Sequence, residues 1–271
     1  MLIIKIGGGK EINIRGIIKD LSGMKEQFII VHGANALRDE LAERLAISKK
    51  IVTSVSGYSS VYSDETMIDL LFMAYAGLRN KRIVELCQQN GINAVGMTGV
   101  DGKMIQGKRN TGIRIREDEK LKIIRDFSGK PFHINMELLH LLLEHAYTPV
   151  LTIPIIDEQG HAINSENDDI IVVLQKEFKA GTVIHFIEAP GFLEKSDDPA
   201  SVISHLNDSD IALWEEQAQG RFKRKLHAIH KLFENGTSTV IIADGRIEHP
   251  VNKALEGYGT IIQRSRYGKY N

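Results

Sequence analysis

Strand-length apolar segments that end in glycine-rich turns and lead into helical patterns constrain the fold of this chain most strongly. The first segment, Leu2–Ile6, runs into Gly7-Gly8-Gly9 and then into a helical pattern over residues 13–25. The second segment, residues 27–31, runs into His32-Gly33-Ala34-Asn35 and a further helical pattern. Repeated strand–helix units of this kind are typical of a mainly parallel sheet covered by helices.

The same alternation continues through the rest of the chain. Helical patterns cover residues 66–89, 134–146, 168–178, 208–217, 221–234 and 250–255, and strand patterns cover residues 92–97, 148–153, 182–187, 238–243 and 259–262. Residues 99–127 alternate short segments with glycines, which predicts β-hairpins. Ser63 is expected to cap the helix that follows it, and residues 259–262 are expected to form an edge strand.

The composition excludes several classes of protein. The chain has 271 residues, a net charge of −1, 42% hydrophobic and 25% charged residues, which excludes a disordered chain. The near-zero charge argues against a whole-chain nucleic-acid binder, and no apolar run approaches the roughly 18 residues of a membrane helix. The single cysteine, Cys87, excludes a disulfide framework and a cysteine-built zinc site. Because no signal-peptide pattern follows Met1, we expect a cytoplasmic protein.

The two glycine-containing turns are candidate anion sites. Glycines let the backbone approach an anion closely, and their N–H groups can point at a phosphate. Lys5, at the end of the first strand, can add a positive charge. An ordinary strand-to-helix turn explains the same residues, however, and the usual phosphate-loop motif is absent.

Two polar segments in the second half are further candidates. Asp168 and Asp169 precede an apolar helix, where either can cap that helix and an acidic residue can instead hold lysines around a phosphate. The basic run that ends at Lys225 follows Gly220, where a helix is expected to begin. Cations are unfavourable at such a position unless an anion is present, although most basic runs are solvated helix faces.

Taken together, these segments resemble the amino acid kinase family over essentially the whole chain. The resemblance is greatest to the acetylglutamate kinase branch, and within it to kinases that act on aminoadipate or glutamate attached to an amino-group carrier protein. The order and spacing of the matching strings are specific. These strings are Lys5-Ile-Gly-Gly, Val31-His-Gly, Asn80-Lys81, Gly96-Met-Thr-Gly-Val-Asp-Gly102, Ala162-Ile-Asn164, Ala189-Pro-Gly191, Gly220-Arg-Phe-Lys-Arg-Lys225, Ala243-Asp-Gly-Arg246 and Gly259-Thr260.

The resemblance implies an α/β fold, a three-layer αβα sandwich with a mainly parallel central sheet. It implies one kinase domain over residues 1–271, with an amino lobe (1–155) that binds the acid and forms a homodimer, and a carboxyl lobe (156–271) that binds ATP. The implied reaction uses ATP and Mg²⁺ and transfers the γ-phosphoryl group to a side-chain carboxylate, giving an acyl phosphate. The expected setting is lysine or arginine biosynthesis.

The resemblance also implies a role for each matching residue. Lys5 and Lys225 match the two lysines that flank the transferring phosphoryl group, and Asp168 matches the aspartate that orients them. Gly8 and the turn Gly33-Ala34 match backbone donors around the phosphate. The substrate-binding set is Gly8, Gly33, Ala34, Asn35, Val61 and Asn164, and the nucleotide-binding set is Gly7, Gly8, Gly191 and Lys225. No metal ligand is predicted.

Three features depart from the family pattern. Val61 stands where the branch usually carries an arginine that clamps the substrate's carboxylate, and valine cannot replace a bidentate guanidinium. Ala34 and Asn35 stand where the second turn usually has glycines. Between Asn164 and Asp168 the spacing is kept but the intervening residues differ. The acceptor therefore stays open at this point.

Three functions remain in competition. The first is an ATP-dependent kinase for a small acidic amino acid that is N-blocked or carried by an acidic protein, which the basic runs at residues 103–116 and 221–231 would attract. The second is a kinase of the same fold for another small carboxylate or phosphate. The third is a non-catalytic nucleotide-binding sensor, against which the retained Lys5, Asp168 and Lys225 argue.

Overall fold

Sixteen strands and nine α-helices are seen in a computed structural model that describes residues 1–265 except Ser56, Tyr58, Asp118, Glu119, Ser196 and Gln219. The strands are β1 (Leu2–Ile6), β2 (Phe28–His32), β3 (Ile51–Thr53), β4 (Ser59–Val61), β5 (Ala94–Thr98), β6 (Ile105–Arg109), β7 (Ile113–Glu117), β8 (Lys120–Ile124), β9 (Gly129–Ile134), β10 (Thr148–Thr152), β11 (Ile155–Ile156), β12 (Ala162–Ile163), β13 (Thr182–Ile187), β14 (His205–Asn207), β15 (Thr239–Asp244) and β16 (Thr260–Gln263). The helices are α1 (Ile14–Ser22), α2 (Asn35–Arg44), α3 (Glu65–Leu71), α4 (Asn80–Gln89), α5 (Met136–Glu144), α6 (Asn167–Phe178), α7 (Asp208–Gln217), α8 (Gly220–Glu234) and α9 (Pro250–Leu255).

An eight-stranded sheet runs through the centre of the molecule in the order β14-β16-β15-β13-β1-β2-β10-β5. The strands from β15 to β5 are parallel to their neighbours, and β16 is antiparallel to β15. The prediction of a final edge strand was wrong, because β14 pairs with the outer side of β16. All strands from β15 to β5 therefore end at one edge of the sheet, where ligands bind in folds of this kind.

Helices cover both faces of this sheet. Because side chains alternate along a strand, Ile4 packs with α1, α4 and α9 on one face, whereas Ile3 packs with α5, α6 and α8 on the other. Both isoleucines are fully buried, and Cys87 lies in the first of these two cores. The prediction of a three-layer α/β sandwich with a mainly parallel sheet is confirmed.

One long helical segment contains an irregular turn. Helix α3 continues through a π-helical stretch, Phe72–Arg79, into α4. The side chain of Asp64 accepts a hydrogen bond from the Met67 N–H and caps α3. The prediction that Ser63 is the cap was therefore wrong, and the Ser63 hydroxyl instead donates to the Val61 carbonyl at 3.1 Å.

Smaller sheets lie above the edge at which the main strands end. Strands β12-β11-β6-β9 form one of them, while β3–β4 and β7–β8 are antiparallel hairpins. The expected hairpin structure within residues 99–127 is thus present. A backbone hydrogen bond of 2.9 Å from Val55 to Arg114 joins the two hairpins. Within the described part of the chain, no helix has both the length and the apolar character needed to cross a membrane.

Candidate active site

The two glycine turns touch each other because they follow neighbouring parallel strands, β1 and β2. A Cβ atom at Gly8 would lie 2.6 Å from the Asn35 nitrogen and 2.7 Å from the Ala34 nitrogen. A Cβ atom at Gly33 would lie 2.9 Å from the Gly8 nitrogen. Glycine at both positions therefore permits this contact and gathers N–H groups at the start of α2. The first N–H groups of a helix have no acceptor within it, so this cradle suits an anion.

The N–H groups of two predicted site residues, Gly33 and Gly7, are already engaged. The Gly33 N–H donates to the Ile6 carbonyl at 2.9 Å, and the Gly7 N–H donates to the Phe186 carbonyl at 2.9 Å. The expectation that Gly33 supplies a phosphate donor is corrected accordingly. Gly33 permits close packing of the two turns, while Ala34 and Asn35 place their N–H groups at the cradle.

Three of the predicted catalytic side chains meet beside this cradle. Lys5 comes from β1, Asp168 from the first turn of α6, and Lys225 from α8. The Lys5 Nζ lies 2.5 Å from Asp168 Oδ1, and the Lys225 Nζ lies 3.5 Å from Asp168 Oδ2. One carboxylate thus holds two ammonium groups from opposite halves of the sequence.

The charges of this group follow from burial and from their neighbours. Burial alone would raise the pKa of Asp168, but the ammonium groups of Lys225 and Lys5 hold it well below its usual range. Burial lowers the pKa of Lys225 to about 8, with the Lys5 charge acting in the same direction and the Asp168 charge opposing it. Near neutral pH the three side chains therefore carry a net positive charge, which an anionic ligand can neutralise.

His185 also faces Asp168. Its Nδ1 lies 3.6 Å from Asp168 Oδ1, and the side chain is buried in β13. Burial, with the Lys225 charge next, lowers the pKa of His185 well below its usual value. The imidazole is therefore neutral and adds no charge to the site.

His32 supports the second turn from beneath. Burial lowers the pKa of His32 to about 3, so the ring is neutral. Its Nδ1 lies 3.3 Å from the Gly33 carbonyl oxygen, and its Nε2 lies 3.1 Å from the Asn80 amide nitrogen. With the proton on Nδ1, the ring donates to Gly33 and accepts from Asn80. His32 thus fixes the turn and is not a proton carrier.

A single cleft contains most of the predicted residues. Of the candidates, it is lined by Lys5, Gly8, Gly33, Asn35, Val61, Asn164, Asp168 and Lys225. The Asn164 side-chain amide donates to the Ser63 hydroxyl at 2.9 Å, which ties β12 to the segment after β4. Val61 is buried and presents an apolar surface to the cleft.

The cleft also contains residues that the sequence reasoning missed. Arg38 and Tyr75 line it, and so do Glu166 and Arg224, which form an ion pair. Burial raises the pKa of Glu166, and the Arg224 charge opposes this shift. A basic residue one turn into a helix that follows a glycine turn is a signal that could have drawn attention to Arg38.

Gly191 lies apart from these residues, after β13. A Cβ atom there would lie 2.7 Å from the Thr260 hydroxyl oxygen, which accepts a hydrogen bond of 2.7 Å from the Phe192 N–H. An apolar groove adjoins this turn at the same edge of the sheet. Its lining includes Pro190, Val202, Ala243, Ile247 and Tyr258.

Known proteins resemble this chain along most of its length. The sequence profile described as the amino acid kinase family matches residues 1–244. The chain belongs to the amino acid kinase family. Among curated relatives, the LysW-aminoadipate kinase of Thermus thermophilus is 34% identical over 269 residues, which cover 97% of this chain and 100% of that protein. The acetylglutamate kinase of Methanopyrus kandleri is 28% identical, with 97% of this chain and 100% of that protein covered.

Solved structures with the amino acid kinase fold support the architecture. The crystal structure of smu.665 from Streptococcus mutans superposes with a TM-score of 0.75 at 18% identity, covering 97% of this chain and 98% of that one. This likeness establishes the fold of the chain. The prediction that the chain is an amino acid kinase, made from the order of short strings, is confirmed.

Proposed function

We propose that this amino acid kinase transfers the γ-phosphoryl group of ATP to the side-chain carboxylate of an acidic amino acid. The amino group of that acceptor is blocked, and aminoadipate or glutamate attached to a carrier protein is the favoured acceptor. The observation that carries the proposal is the Lys5–Asp168–Lys225 group beside the cradle at Gly8. Two ammonium groups and a set of backbone donors are what phosphoryl transfer between anions requires.

The chemistry needs no general base. A carboxylate acceptor is ionised near neutral pH, so its oxygen attacks the γ-phosphorus directly. As that bond forms, the bond from the γ-phosphorus to the bridging oxygen breaks, and ADP leaves with the electron pair. Lys5 and Lys225 offset the repulsion between the two anions. Asp168 positions both lysines, and its low pKa excludes it as a proton acceptor near neutral pH.

We expect the nucleotide at the same edge of the sheet, where the parallel strands end. We assign ATP to the carboxyl lobe (156–271), with its phosphates at Gly8 and Lys225 and its base toward the groove beside Gly191. Among the described residues, no group of three His, Cys, Asp or Glu side chains is arranged to hold a metal ion. The cleft residues fit Mg²⁺ that is held by the phosphates of ATP. Bound there, Mg²⁺ would supply further charge neutralisation.

The acceptor end belongs to the amino lobe (1–155), where exposed basic residues suit an acidic carrier protein. Lys103, Lys108, Arg114 and Arg116 are exposed. The hairpin β7–β8, which bears Arg114 and Arg116, is bonded to the hairpin that ends at Val61 in the cleft. The second basic run contributes less surface, because Arg224 pairs with Glu166 and Lys225 with Asp168. Surface charges of this kind mainly accelerate association and are screened by salt.

Two further parts of the proposal concern the setting of the enzyme. We place it in the cytoplasm, in lysine or arginine biosynthesis, and we expect a homodimer formed through the amino lobe. The support is the family membership and the names of the relatives. Light scattering of the purified protein at about 10 to 100 µM, above the Kd of a stable dimer, tests the dimer.

The decisive experiment compares acceptors with two readouts. ADP release reports phosphoryl transfer, and trapping with hydroxylamine reports an acyl phosphate. We expect both signals with carrier-linked aminoadipate or glutamate, weak signals with free N-acetylglutamate, and a rate that falls as salt rises. Rapid, salt-insensitive phosphorylation of free N-acetylglutamate would refute the proposal that the acceptor is attached to a carrier protein. With a small phosphate or alcohol added in place of the acid, ADP release without hydroxamate would indicate a kinase for that group, and ATP binding without turnover would indicate a sensor.

A further inference from the structure

Four cationic side chains line the cleft among its described residues: Lys5, Arg38, Arg224 and Lys225. Lys5 and Lys225 share Asp168 at the phosphoryl end, and Arg224 pairs with Glu166. Arg38 is different, because its carboxylate partner lies outside the cleft. It comes from α2, one turn after the N–H groups of the cradle.

Arg38 lies between the cleft and a separate groove. Its side chain is only 7% exposed, and its Nε and Nη2 donate to Asp39 Oδ1 at 2.9 and 2.7 Å. Lys49 Nζ lies 3.0 Å from the same oxygen. Asp39 and Lys49 border the groove on the other side of α2 and not the cleft. Two cations therefore share one carboxylate, and the group keeps a net positive charge next to the cleft.

The neighbours of Arg38 in the cleft are polar groups held in fixed positions. The Tyr75 hydroxyl donates a hydrogen bond to the Asn35 side-chain oxygen. Burial raises the pKa of Tyr75 to about 12, and the Arg38 charge acts in the opposite direction, as expected for a guanidinium close to the ring. Tyr75 lies in the π-helical stretch, an irregularity that is frequent at functional sites. Val61, which lines the same cleft, supplies no charge.

We propose that Arg38 binds a second anionic group of the acceptor. The acceptor is then a dicarboxylate: one carboxylate is phosphorylated beside Lys5 and Lys225, and the other, which stays free, pairs with the Arg38 guanidinium. This inference rests on the proposed function and adds a specificity-determining residue to it. It also supplies the cation that Val61 does not.

The test replaces the charged guanidinium with a neutral polar amide. In Arg38→Gln we expect the KM for carrier-linked aminoadipate to rise about 10- to 100-fold, the range for losing a charge-assisted hydrogen bond. The KM for ATP and the kcat should stay within about threefold, because the contact is the same in ground and transition states. Arg38→Lys should be intermediate. Arg44→Gln is the matched control, because this exposed arginine of the same helix pairs with Glu40 and does not line the cleft, so the acceptor KM should stay unchanged.

A modified acceptor separates recognition from structural support. In the modified acceptor, carrier-linked aminoadipate, the carboxylate that is not phosphorylated is converted to a carboxamide. This acceptor should bind the wild-type enzyme as weakly as the normal acceptor binds Arg38→Gln. The variant should lose little more with the amide. If Arg38→Gln raised the KM equally for both acceptors, the proposal would be overturned. A normal wild-type KM for the amide would also overturn it, and that measurement does not depend on whether the variants fold. If wild-type enzyme gives no hydroxamate with any acceptor, the proposed function itself fails.

Discussion

Lys225 carries its positive charge inside the protein, and this should limit the enzyme at alkaline pH. Its pKa is lowered from 10.5 to about 8, chiefly by burial. At about 1.36 kcal/mol per pKa unit, the charged form is disfavoured by about 3 kcal/mol relative to an exposed lysine. Only the protonated form offsets phosphoryl charge. The free enzyme should therefore lose its competent form as the pH rises through about 8.

The size of the effect follows from this pKa. The protonated fraction of Lys225 falls about tenfold between pH values of about 7 and about 9, and kcat/KM for ATP should fall in proportion. Bound ATP brings negative charge to the ammonium group and favours its protonated form. The alkaline limb should therefore move to higher pH in the profile of kcat, which reports the bound complex.

The assay is the initial rate of ADP release from about pH 6 to about pH 10 at constant ionic strength. Lys225→Arg is the matched variant, because a guanidinium does not titrate in this range. If that variant keeps some turnover, its alkaline limb should be missing. A wild-type kcat/KM profile that stays flat up to the alkaline end would refute the reasoning, and so would a limb that survives in Lys225→Arg.

Three further predictions concern the same cleft. Lys5→Ala should lower turnover by about 10²- to 10³-fold, as for loss of one transition-state donor, and near-normal turnover with a true acceptor would contradict the assignment. Asp168→Asn should lower turnover and leave the acid limb of the pH–rate profile in place, whereas loss of that limb would point to general-base catalysis. Gly8→Ala should raise the KM for ATP by about tenfold, because its Cβ fills the cradle, while Gly23→Ala, whose Cβ meets its nearest neighbour at 3.6 Å, should not.

The fold was largely predictable because long elements bury continuous apolar faces. The helices over residues 208–217 and 250–255 have the predicted bounds, and the strand at residues 182–187 does as well. Strand β14 was missed because three residues, with Leu206 as their one apolar member, give no period to detect. The cap of α3 was misplaced by one residue because Ser63 and Asp64 are both good capping residues, and only the structure separates them.

The site residues near strand ends were predictable from the sequence. Residues that enter the cleft only through tertiary packing were less predictable. Lys5 and the glycine turns follow strands whose ends must meet at one edge. Arg38 lies inside a helix next to Asp39, and this sequence pattern predicts a solvent-exposed ion pair. Its entry into the cleft depends on how α2 packs against the helical segment of Tyr75 and against the hairpin that carries Val61. No local pattern contains that information.

The π-helical stretch Phe72–Arg79 sets the direction of a side chain at the acceptor end of the cleft, and one residue can change that direction. Each residue turns an α-helix by about 100°, whereas the wider i→i+5 bonding of this stretch turns it by less. The wider turn therefore helps to set the direction in which Tyr75 points. Removing one residue from the stretch would restore continuous α-helical bonding, keep α3 and α4 on the sheet, and turn Tyr75 away from Arg38. A one-codon deletion could thus change which acids the enzyme accepts without altering the scaffold, a short evolutionary route to new substrates within this family.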